Sequence, residues 1–290
     1  MIQQLDDNIR GEYPFSSQYL DIDSNQYHYI DEGKGDPVLM VHGNPTWSFY
    51  YRKLASDLKN NNRVIVPDHI GCGFSDKPQD YEYTLENHIS NLTKLVKFLE
   101  LKDITLVVHD WGGAIGFGLA TRFPKLIKRI VILNTAAFRS NRIPFTIGLC
   151  KNKFFGKFIV QKFNAFAWPA TFMAPKKKLS SSVKKAYLAP YGNVKNRIAI
   201  AEFVKDIPMD EAHRSYKTLS EIESKLESLT CPKIILWGGK DFCFNDEFFK
   251  KWQSIYPDAF YKYYKNAGHY ILEDESVDVI KNIKDFMERV

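Results

Sequence analysis

Cysteine is scarce in this chain of 290 residues, and its four cysteines form no paired motif. They are too scattered to indicate either a disulfide framework or a zinc site, and the histidines have no ligand-like spacing. The sequence also lacks a long apolar run and the basic-then-apolar N-terminus of a secretory signal. These absences predict a cytoplasmic globular protein without a metal or another cofactor.

Charge of one sign is not in large excess either, since 40 Lys and Arg stand against 34 Asp and Glu, for a net charge of +6. A modest charge spread along the chain argues against nucleic-acid binding. The exception is segment 151–185, where basic residues interleave with aromatic ones and end in the run Lys176, Lys177, Lys178. We interpret it as an amphipathic lid with inward aromatics and outward lysines, the alternative being contact with a membrane surface or a partner.

Strand and helix patterns alternate along most of the chain. Residues 19–23 and 26–31 alternate with period two and predict a hairpin. Short apolar runs then alternate with helical patterns, which favours a mainly parallel sheet covered by helices. The further predicted strands are 38–41, 63–66, 104–108, 129–133, 233–237 and 260–264, and the predicted helices are 85–99, 111–123, 248–256 and a last one from Ser276.

The alternation breaks between residues 136 and 215, where helical segments occur without a convincing buried strand. The simplest interpretation is one α/β domain with a mostly parallel eight-stranded sheet, formed by residues 1–135 and 216–290. Residues 136–215 would form a helical cap inserted into it.

The strongest chemical motif is V-V-H-D-W-G-G at residues 107–113. An apolar strand leads into a reactive side chain, and a helix rich in small residues follows, which is the nucleophile-elbow pattern of the α/β-hydrolase fold. Asp110 stands where serine is usual. An aspartate is ionised near neutral pH, so it can attack a saturated carbon without a base and form an ester on the enzyme.

Breaking such an ester requires an activated water, and His269 in the late loop A-G-H-Y is the predicted base. Asp241, in a turn after strand 233–237, is predicted to fix the histidine tautomer. Some relatives of this fold take the acid from the end of the preceding strand, but Asn134 stands there and cannot serve. Asp246 is the nearest competitor, although its position suits a helix cap better.

Donors for developing negative charge are expected in the loop after the third strand and directly after the nucleophile. Asn44, in H-G-N-P, and Trp111 occupy these positions. Their backbone N–H groups would form the oxyanion hole, and their side chains would hold a leaving anion. His42 and His109 flank the site, and we interpret both as residues that hold loops together.

With these motifs the sequence resembles the haloalkane dehalogenases, in which the Asn of H-G-N-P and the Trp of H-D-W-G bind the departing halide. The resemblance extends over nearly the whole chain. It rests on Y-P-F at 13–15, H-G-N-P-T-W-S-F-Y-Y-R at 42–52, P-D-H-I-G-C-G-F-S-D-K-P at 67–78, the elbow, and Asp241.

Within that superfamily the chain looks most like the β-lactone decarboxylases of bacterial long-chain olefin biosynthesis. The shared segments are A-P-Y at 189–191, N-R-I at 196–198, F-V-K-D-I-P at 203–208, residues 237–242, and A-G-H-Y-I-L-E-D at 267–274. This resemblance implies an apolar or lipid-like substrate and an olefin-biosynthesis assembly as a partner. The long aromatic cap favours the same interpretation, because a two-chain lipid needs a wide apolar pocket.

Four functions therefore remain open. The favoured one is decarboxylation of a cis-β-lactone to an olefin, and the first alternative is cleavage of a carbon–halogen bond to an alcohol and halide. An epoxide hydrolase would need two cap tyrosines, for which Tyr187, Tyr191 and Tyr216 are candidates. A ligand receptor without catalysis would not need Asp110, Asp241 and His269 together.

Overall fold

The computed structural model of the chain describes residues 7–152 and 154–290. The predicted domain start at residue 1 and Lys153 of the predicted cap lie outside these residues. Within them, the predicted α/β fold with a mostly parallel eight-stranded sheet is confirmed.

All eight predicted strands are present in one sheet of order β1-β2-β4-β3-β5-β6-β7-β8. The hairpin β1–β2 and the pair β2–β4 are antiparallel, and the remaining neighbours are parallel. The strands are β1 Ser17–Ile22, β2 Asn25–Glu32, β3 Pro37–Val41, β4 Arg63–Pro67, β5 Ile104–Asp110, β6 Ile127–Thr135, β7 Lys233–Gly238 and β8 Phe260–Tyr264.

The α-helices follow the expected alternation, and four of them, α1 to α4, come before β6 in the chain. The α-helices of the described residues are α1 Asp7–Glu12, α2 Arg52–Leu58, α3 Leu85–Phe98, α4 Trp111–Arg122, α5 Phe145–Lys151, α6 Gly156–Phe163, α7 Ala167–Met173, α8 Ser181–Leu188, α9 Ile198–Lys205, α10 Tyr216–Lys225, α11 Asp246–Ile255, α12 Ile271–Asp274 and α13 Ser276–Arg289. None of them is long and apolar enough to cross a bilayer.

The sheet separates two hydrophobic cores, because successive side chains of a strand point to opposite faces. In β5, Val107 belongs to the core beneath α2 and α13, whereas Leu106 and Val108 belong to the core beneath α3 and α4. Because helices cover both faces of the sheet, the parallel strands are continuous apolar runs in the sequence.

Helix starts follow local capping chemistry. The side chain of Thr84 accepts a hydrogen bond from the backbone N–H of Asn87 at the start of α3, and Ser180 does the same for Val183 in α8. The expectation that Asp246 caps a helix is wrong, because Asn245 is the cap of α11 and accepts from Glu247. Asp246 instead accepts a hydrogen bond from the Tyr263 hydroxyl at 2.7 Å.

Helices α5 to α9 lie between β6 and α10, and the interval has no strand within the described residues. Of the seven aromatic side chains predicted to face inward, Phe166 lines the cavity described below, but the prediction is wrong for the other six, which are exposed. Phe154, Phe158 and Phe163 are exposed, at 95%, 58% and 66% of their surface. The inward faces carry smaller side chains, such as Ile147 and Ala170, because they line a cavity rather than a solid core. The division at residues 136 and 215 stays a prediction.

Candidate active site

The loops that follow parallel strands meet at one edge of the sheet, and this edge collects the predicted site residues. Asn44 follows β3, Asp110 ends β5, Asp241 follows β7 and His269 follows β8. The topology thus brings together residues that are separated by up to 225 positions in the chain. This is the carboxyl edge at which open α/β sheets place their ligands.

Asp110 lies in a tight strand-to-helix turn with φ 51° and ψ −128°, a conformation that a residue with a side chain rarely adopts. Such a backbone costs about 1–3 kcal/mol and persists only where the surroundings hold it. Here the hydroxyl of Thr135 donates to the Asp110 carbonyl, and Gly112 and Gly113 follow Trp111 at the start of α4. A Cβ on Gly112 would lie 1.9 Å from the carbonyl oxygen of Val41, so only glycine permits this close approach.

The two oxygens of the Asp110 carboxylate have different neighbours. Oδ1 accepts a hydrogen bond from the backbone N–H of Asn44 at 2.6 Å, while Oδ2 lies 3.5 Å from Nε2 of His269. The backbone N–H of Trp111 also stabilises the carboxylate. Burial alone would raise the pKa of Asp110, but the hydrogen bond and charge of His269 outweigh it and lower that pKa. The carboxylate is therefore ionised and oriented.

His269 is held by the acid that the sequence predicts. Its Nδ1 lies 2.8 Å from Oδ2 of Asp241, whose side chain is fully buried. The other oxygen of Asp241 accepts from the backbone N–H groups of Cys243 at 2.7 Å and Phe244 at 3.1 Å. The carboxylate thus has a fixed rotamer, and Nδ1 of His269 is the protonated nitrogen whatever the state of Nε2.

Asn134 is a site residue whose contribution the sequence reasoning missed. Its side-chain amide donates to Asp241 Oδ2 at 3.0 Å and to the carbonyl of Gly238 at 3.1 Å, and its oxygen accepts from the N–H of Gly238 at 2.7 Å. It therefore does not replace the acid but positions it. The signal was its place at the end of β6, next to the strand that leads to Asp241.

His109 and Asp274 hold the loop that carries His269. Nε2 of His109 donates to the His269 carbonyl at 2.9 Å, in agreement with the predicted loop-holding role. Burial, reinforced by the neighbouring His269, lowers the pKa of His109 to about 3, so it stays neutral. Asp274 accepts from the backbone N–H of Gly268 at 2.7 Å and from that of Lys177 at 2.7 Å. The same carboxylate therefore ties the histidine loop to the cap.

His42 also holds loops together, as expected. Its Nδ1 donates to the Gly43 carbonyl at 2.7 Å, and its Nε2 accepts from the backbone N–H of His69 at 3.1 Å. The loop that carries Asn44 is thereby joined to the loop after β4.

The imidazole of His269 lies between two carboxylates, and this determines its charge. Burial would lower the pKa of His269, but Asp241 and then Asp110 raise it to about 10. In the ligand-free site the ring is therefore an imidazolium paired with both. If Asp110 became an ester, its share of this stabilisation would vanish and the pKa of His269 would fall.

The side chains of Asn44 and Trp111 reach the same cavity as Asp110. One N–H of the Asn44 amide donates to the carbonyl of Ile200 in α9 at 3.2 Å, which leaves its second N–H for a ligand. The Trp111 ring is held against Phe203, also in α9, with centroids 5.3 Å apart. Both predicted anion donors are thus fixed by the cap.

The cavity has a volume of about 190 Å³, with Asp110 and His269 in its wall. Most of its remaining wall is apolar and comes from both the sheet edge and the cap, as Phe138, Ile147 and Phe166 illustrate. An apolar cavity with a few convergent polar groups is the usual form of a small-molecule site.

The three tyrosines considered for epoxide activation are absent from the described wall of this cavity. Tyr187 donates to Glu273 at 2.6 Å and Tyr191 to the Thr46 carbonyl at 3.4 Å, and both are buried away from Asp110. The Tyr216 hydroxyl accepts from Arg139 at 3.2 Å. The geometry gives no support to an epoxide hydrolase.

Comparison with known proteins agrees with this architecture. The model of the alpha/beta hydrolase fold family matches residues 36–276. The cis-3-alkyl-4-alkyloxetan-2-one decarboxylase of Shewanella oneidensis is 47% identical over 94% of this chain and 89% of that protein. Haloalkane dehalogenase 2 of Mycobacterium tuberculosis is 28% identical over 90% of this chain and 91% of that protein.

Among solved structures, the haloalkane dehalogenase DatA of Agrobacterium tumefaciens has the same fold, with a TM-score of 0.86 at 24% identity, covering 94% of this chain and 96% of that one. The family match covers most of the sheet and all the residues of the site described above. The chain therefore belongs to the α/β-hydrolase fold family, as an enzyme of the group that includes the haloalkane dehalogenases and the β-lactone decarboxylases.

Proposed function

We propose that this enzyme decarboxylates a cis-3,4-dialkyl β-lactone to an alkene, with Asp110 as the covalent nucleophile. The observation that carries the proposal is the 47% identity, over 94% of the chain, to a protein named for decarboxylation of such a lactone. The apolar cavity above Asp110 supports it, because the substrate is a small polar ring with two alkyl chains.

In the first step Oδ2 of Asp110 attacks the saturated ring carbon that is bonded to the ring oxygen, and not the carbonyl carbon. The new bond joins Oδ2 to that carbon, and the bond from the carbon to the ring oxygen breaks. The ring oxygen leaves as part of a carboxylate that stays attached to the neighbouring carbon. Oδ1 of Asp110 keeps its hydrogen bond to the N–H of Asn44, so Oδ2, which faces His269, is the attacking oxygen.

In the second step the bond between the neighbouring carbon and the carboxylate breaks, and carbon dioxide leaves. Its electron pair forms the double bond, while the bond to Oδ2 breaks and returns its pair to Asp110. Inversion in the first step followed by anti elimination in the second gives the cis alkene. The two steps balance without water.

The remaining polar groups stabilise the charge that moves between these steps. The free N–H of Asn44 and the indole N–H of Trp111 are donors for the new carboxylate, in the place that a halide would occupy. His269 stays protonated while Asp110 is an anion. Its Nε2 also faces Oδ2 when the negative charge returns to Asp110 in the second step. A histidine-activated water, as expected from the sequence, belongs to the alternative in which a lasting alkyl ester must be hydrolysed.

Product analysis in parallel assays tests the proposal. A synthetic cis-dialkyl β-lactone and a bromoalkane of similar length are incubated separately with the wild type and with Asp110→Asn. We expect the cis alkene and carbon dioxide from the wild type, and a rate at least about ten-thousandfold lower from the variant, whose amide has no negative charge. Circular dichroism and the Tm check that the variant is folded.

Other outcomes assign other functions. Halide release without alkene would support the dehalogenase alternative, for which Asn44 and Trp111 would be the halide donors. A β-hydroxy acid that carries label from isotopically labelled water would indicate lactone hydrolysis. The cytoplasmic location and a partnership with an olefin-biosynthesis assembly stay predictions.

A further inference from the structure

The outer surface of the cap is unusually apolar. Within the described residues, Phe145, Phe154 and Phe163 expose 80%, 95% and 66% of their surface. The exposed large side chains of segment 145–172, which we call the outer cap face, are Phe145, Leu149, Phe154, Phe155, Phe158, Phe163, Trp168 and Phe172. Rings within it contact one another, Phe158 with Phe163 and Trp168 with Phe172, and clustered apolar surface on a folded protein indicates an interaction site.

These side chains are not displaced core residues, because the same helices use another face for packing. In α7, Ala170 and Met173 line the cavity while Trp168 and Phe172 stay exposed. In α6, Val160 is fully buried while Phe158 is exposed. The outer aromatics therefore form a second apolar face in addition to the one that folding buries.

Most of the cap carries charge of one sign. From Ala136 to Ala201 the sequence has 13 Lys and Arg and no Asp or Glu, whereas the rest of the chain has 27 Lys and Arg against 34 Asp and Glu. Some of these cations pair with carboxylates at the margin of the segment, as Lys157 does with Glu202 at 2.8 Å. Others, including Lys162, Lys178 and Lys185, are exposed. The cap is thus a basic region on a molecule whose remainder is acidic.

The cavity wall reaches the protein surface beside this face. Arg142 and Thr146 belong to the cavity wall and are themselves exposed, and Phe145 lies between them in the sequence. An apolar ligand that leaves a lipid phase at Phe145 would therefore meet the cavity at once.

We propose that the outer cap face binds the surface of an anionic lipid membrane. Aromatic side chains enter the boundary between headgroups and acyl chains, and lysines beside them attract anionic headgroups. A protein partner fits less well, since protein interfaces are depleted in lysine and combine both signs of charge. The proposal rests on the cap alone and does not depend on which reaction Asp110 performs.

The chain has a built-in reporter for this contact. Of its five tryptophans, Trp168 on the outer cap face is exposed at 58%, whereas Trp47, Trp237 and Trp252 are fully buried and Trp111 is partly buried. We expect vesicles of phosphatidylcholine mixed with phosphatidylglycerol to shift the emission to shorter wavelength. Brominated acyl chains in those vesicles should quench it.

Co-sedimentation measures the affinity. Binding to the mixed vesicles should be at least about tenfold tighter than binding to pure phosphatidylcholine and should weaken as salt increases. The double variant Phe154→Ser with Phe158→Ser should bind at least about tenfold more weakly, since two aromatic anchors are lost. Neither side chain lines the cavity, so turnover of a short water-dispersed substrate should not change.

The matched control is Phe98→Ser, which removes a phenyl ring of similar exposure, 57%, from the end of α3 in the sheet domain. It should leave vesicle binding unchanged. Equal loss in this control, equal binding to both kinds of vesicle, or no binding at all would overturn the proposal. Self-association that the double variant abolishes, without vesicle binding, would assign the outer cap face to a protein interface instead.

Discussion

The sheet edge and the cap face the same cavity, yet they are built in opposite ways. At the sheet edge space is fully used, since a Cβ on Gly43 would lie 2.0 Å from Asp110 Oδ1 and one on Gly113 would lie 1.9 Å from Thr135 Oγ1. In the cap, a Cβ on Gly156 would lie 2.2 Å from the Cys150 carbonyl oxygen, but one on Gly148 or Gly192 would meet nothing within 4 Å. The edge fixes the position of the reacting groups, whereas the cap only has to enclose the substrate.

The polar groups show the same contrast. Asp241, Asn134 and His109 are buried and hydrogen-bonded at the sheet edge, where a displaced donor would misplace Asp241 or the loop that carries His269. The cap has apolar side chains on both its inner and its outer surface. We therefore expect the sheet edge to determine how precisely the reacting groups are placed. The cap should determine how the substrate reaches them.

After Asp110→Asn, the largest effect expected at the sheet edge comes from His269→Gln. With a bromoalkane, Asp110 needs no base to attack, so the variant should release one halide per active site and then stop with an alkyl ester on Asp110. Steady turnover of the bromoalkane should fall by about a thousandfold or more. Mass spectrometry should find the protein heavier by the alkyl group, in the peptide that contains Asp110.

With a β-lactone the same variant should behave differently, because decarboxylation consumes no water. Alkene formation should continue at a reduced rate without a lasting adduct. A variant that stays unmodified while the wild type turns over the bromoalkane would show that His269 acts during the first attack. Complete loss of alkene would give it a role in ring opening.

A smaller effect on kcat is expected when a glycine is replaced by alanine, and it should differ between the sheet edge and the cap. In Gly43→Ala the new methyl group must displace the Asp110 carboxylate and weaken its hydrogen bond to Asn44. A displacement of this order should lower kcat about a hundredfold. Gly148→Ala, in α5, should leave kcat unchanged and stabilise the protein by about 0.5–1 kcal/mol. Similar kinetics in both variants would contradict the proposed contrast.

A third comparison concerns Asn134, which positions Asp241 through a hydrogen bond. Asn134 is not among the described residues that line the cavity. Removing a hydrogen bond to a buried carboxylate costs about 1.5–3 kcal/mol, so Asn134→Ala should lower kcat roughly tenfold or more while KM stays close to its normal value. Asn91→Ala is the control, since Asn91 is also buried but donates to Tyr81 in another part of the molecule. It should lower the Tm and leave kcat unchanged.

Sequence reasoning succeeded where a residue's neighbours are set by topology. The strands were predicted from alternating patterns. Asp110, Asp241 and His269 were predicted to act together because each follows or ends a strand of the same sheet. The supporting role of Asn134 was missed because its partner lies 107 positions away and the hydrogen bond depends on side-chain geometry. The predicted orientation was wrong for every aromatic of segment 151–185 except Phe166, because periodicity detects an apolar face but does not distinguish packing from exposure.

The smallest effect tests that last distinction in and just before a single helix. In α6, Val160 is fully buried, whereas Phe154, just before the helix, is 95% exposed. Val160→Ala should lower the free energy of unfolding by about 2 kcal/mol, since it leaves a cavity in a packed region. Phe154→Ser should change it by no more than about 0.5 kcal/mol, although it removes many more apolar atoms, because those atoms already lie in water. Urea unfolding at equal m values would measure both changes. A large loss of stability in Phe154→Ser would mean that the ring packs against the protein in solution, and the outer cap face would then be smaller than the structure describes.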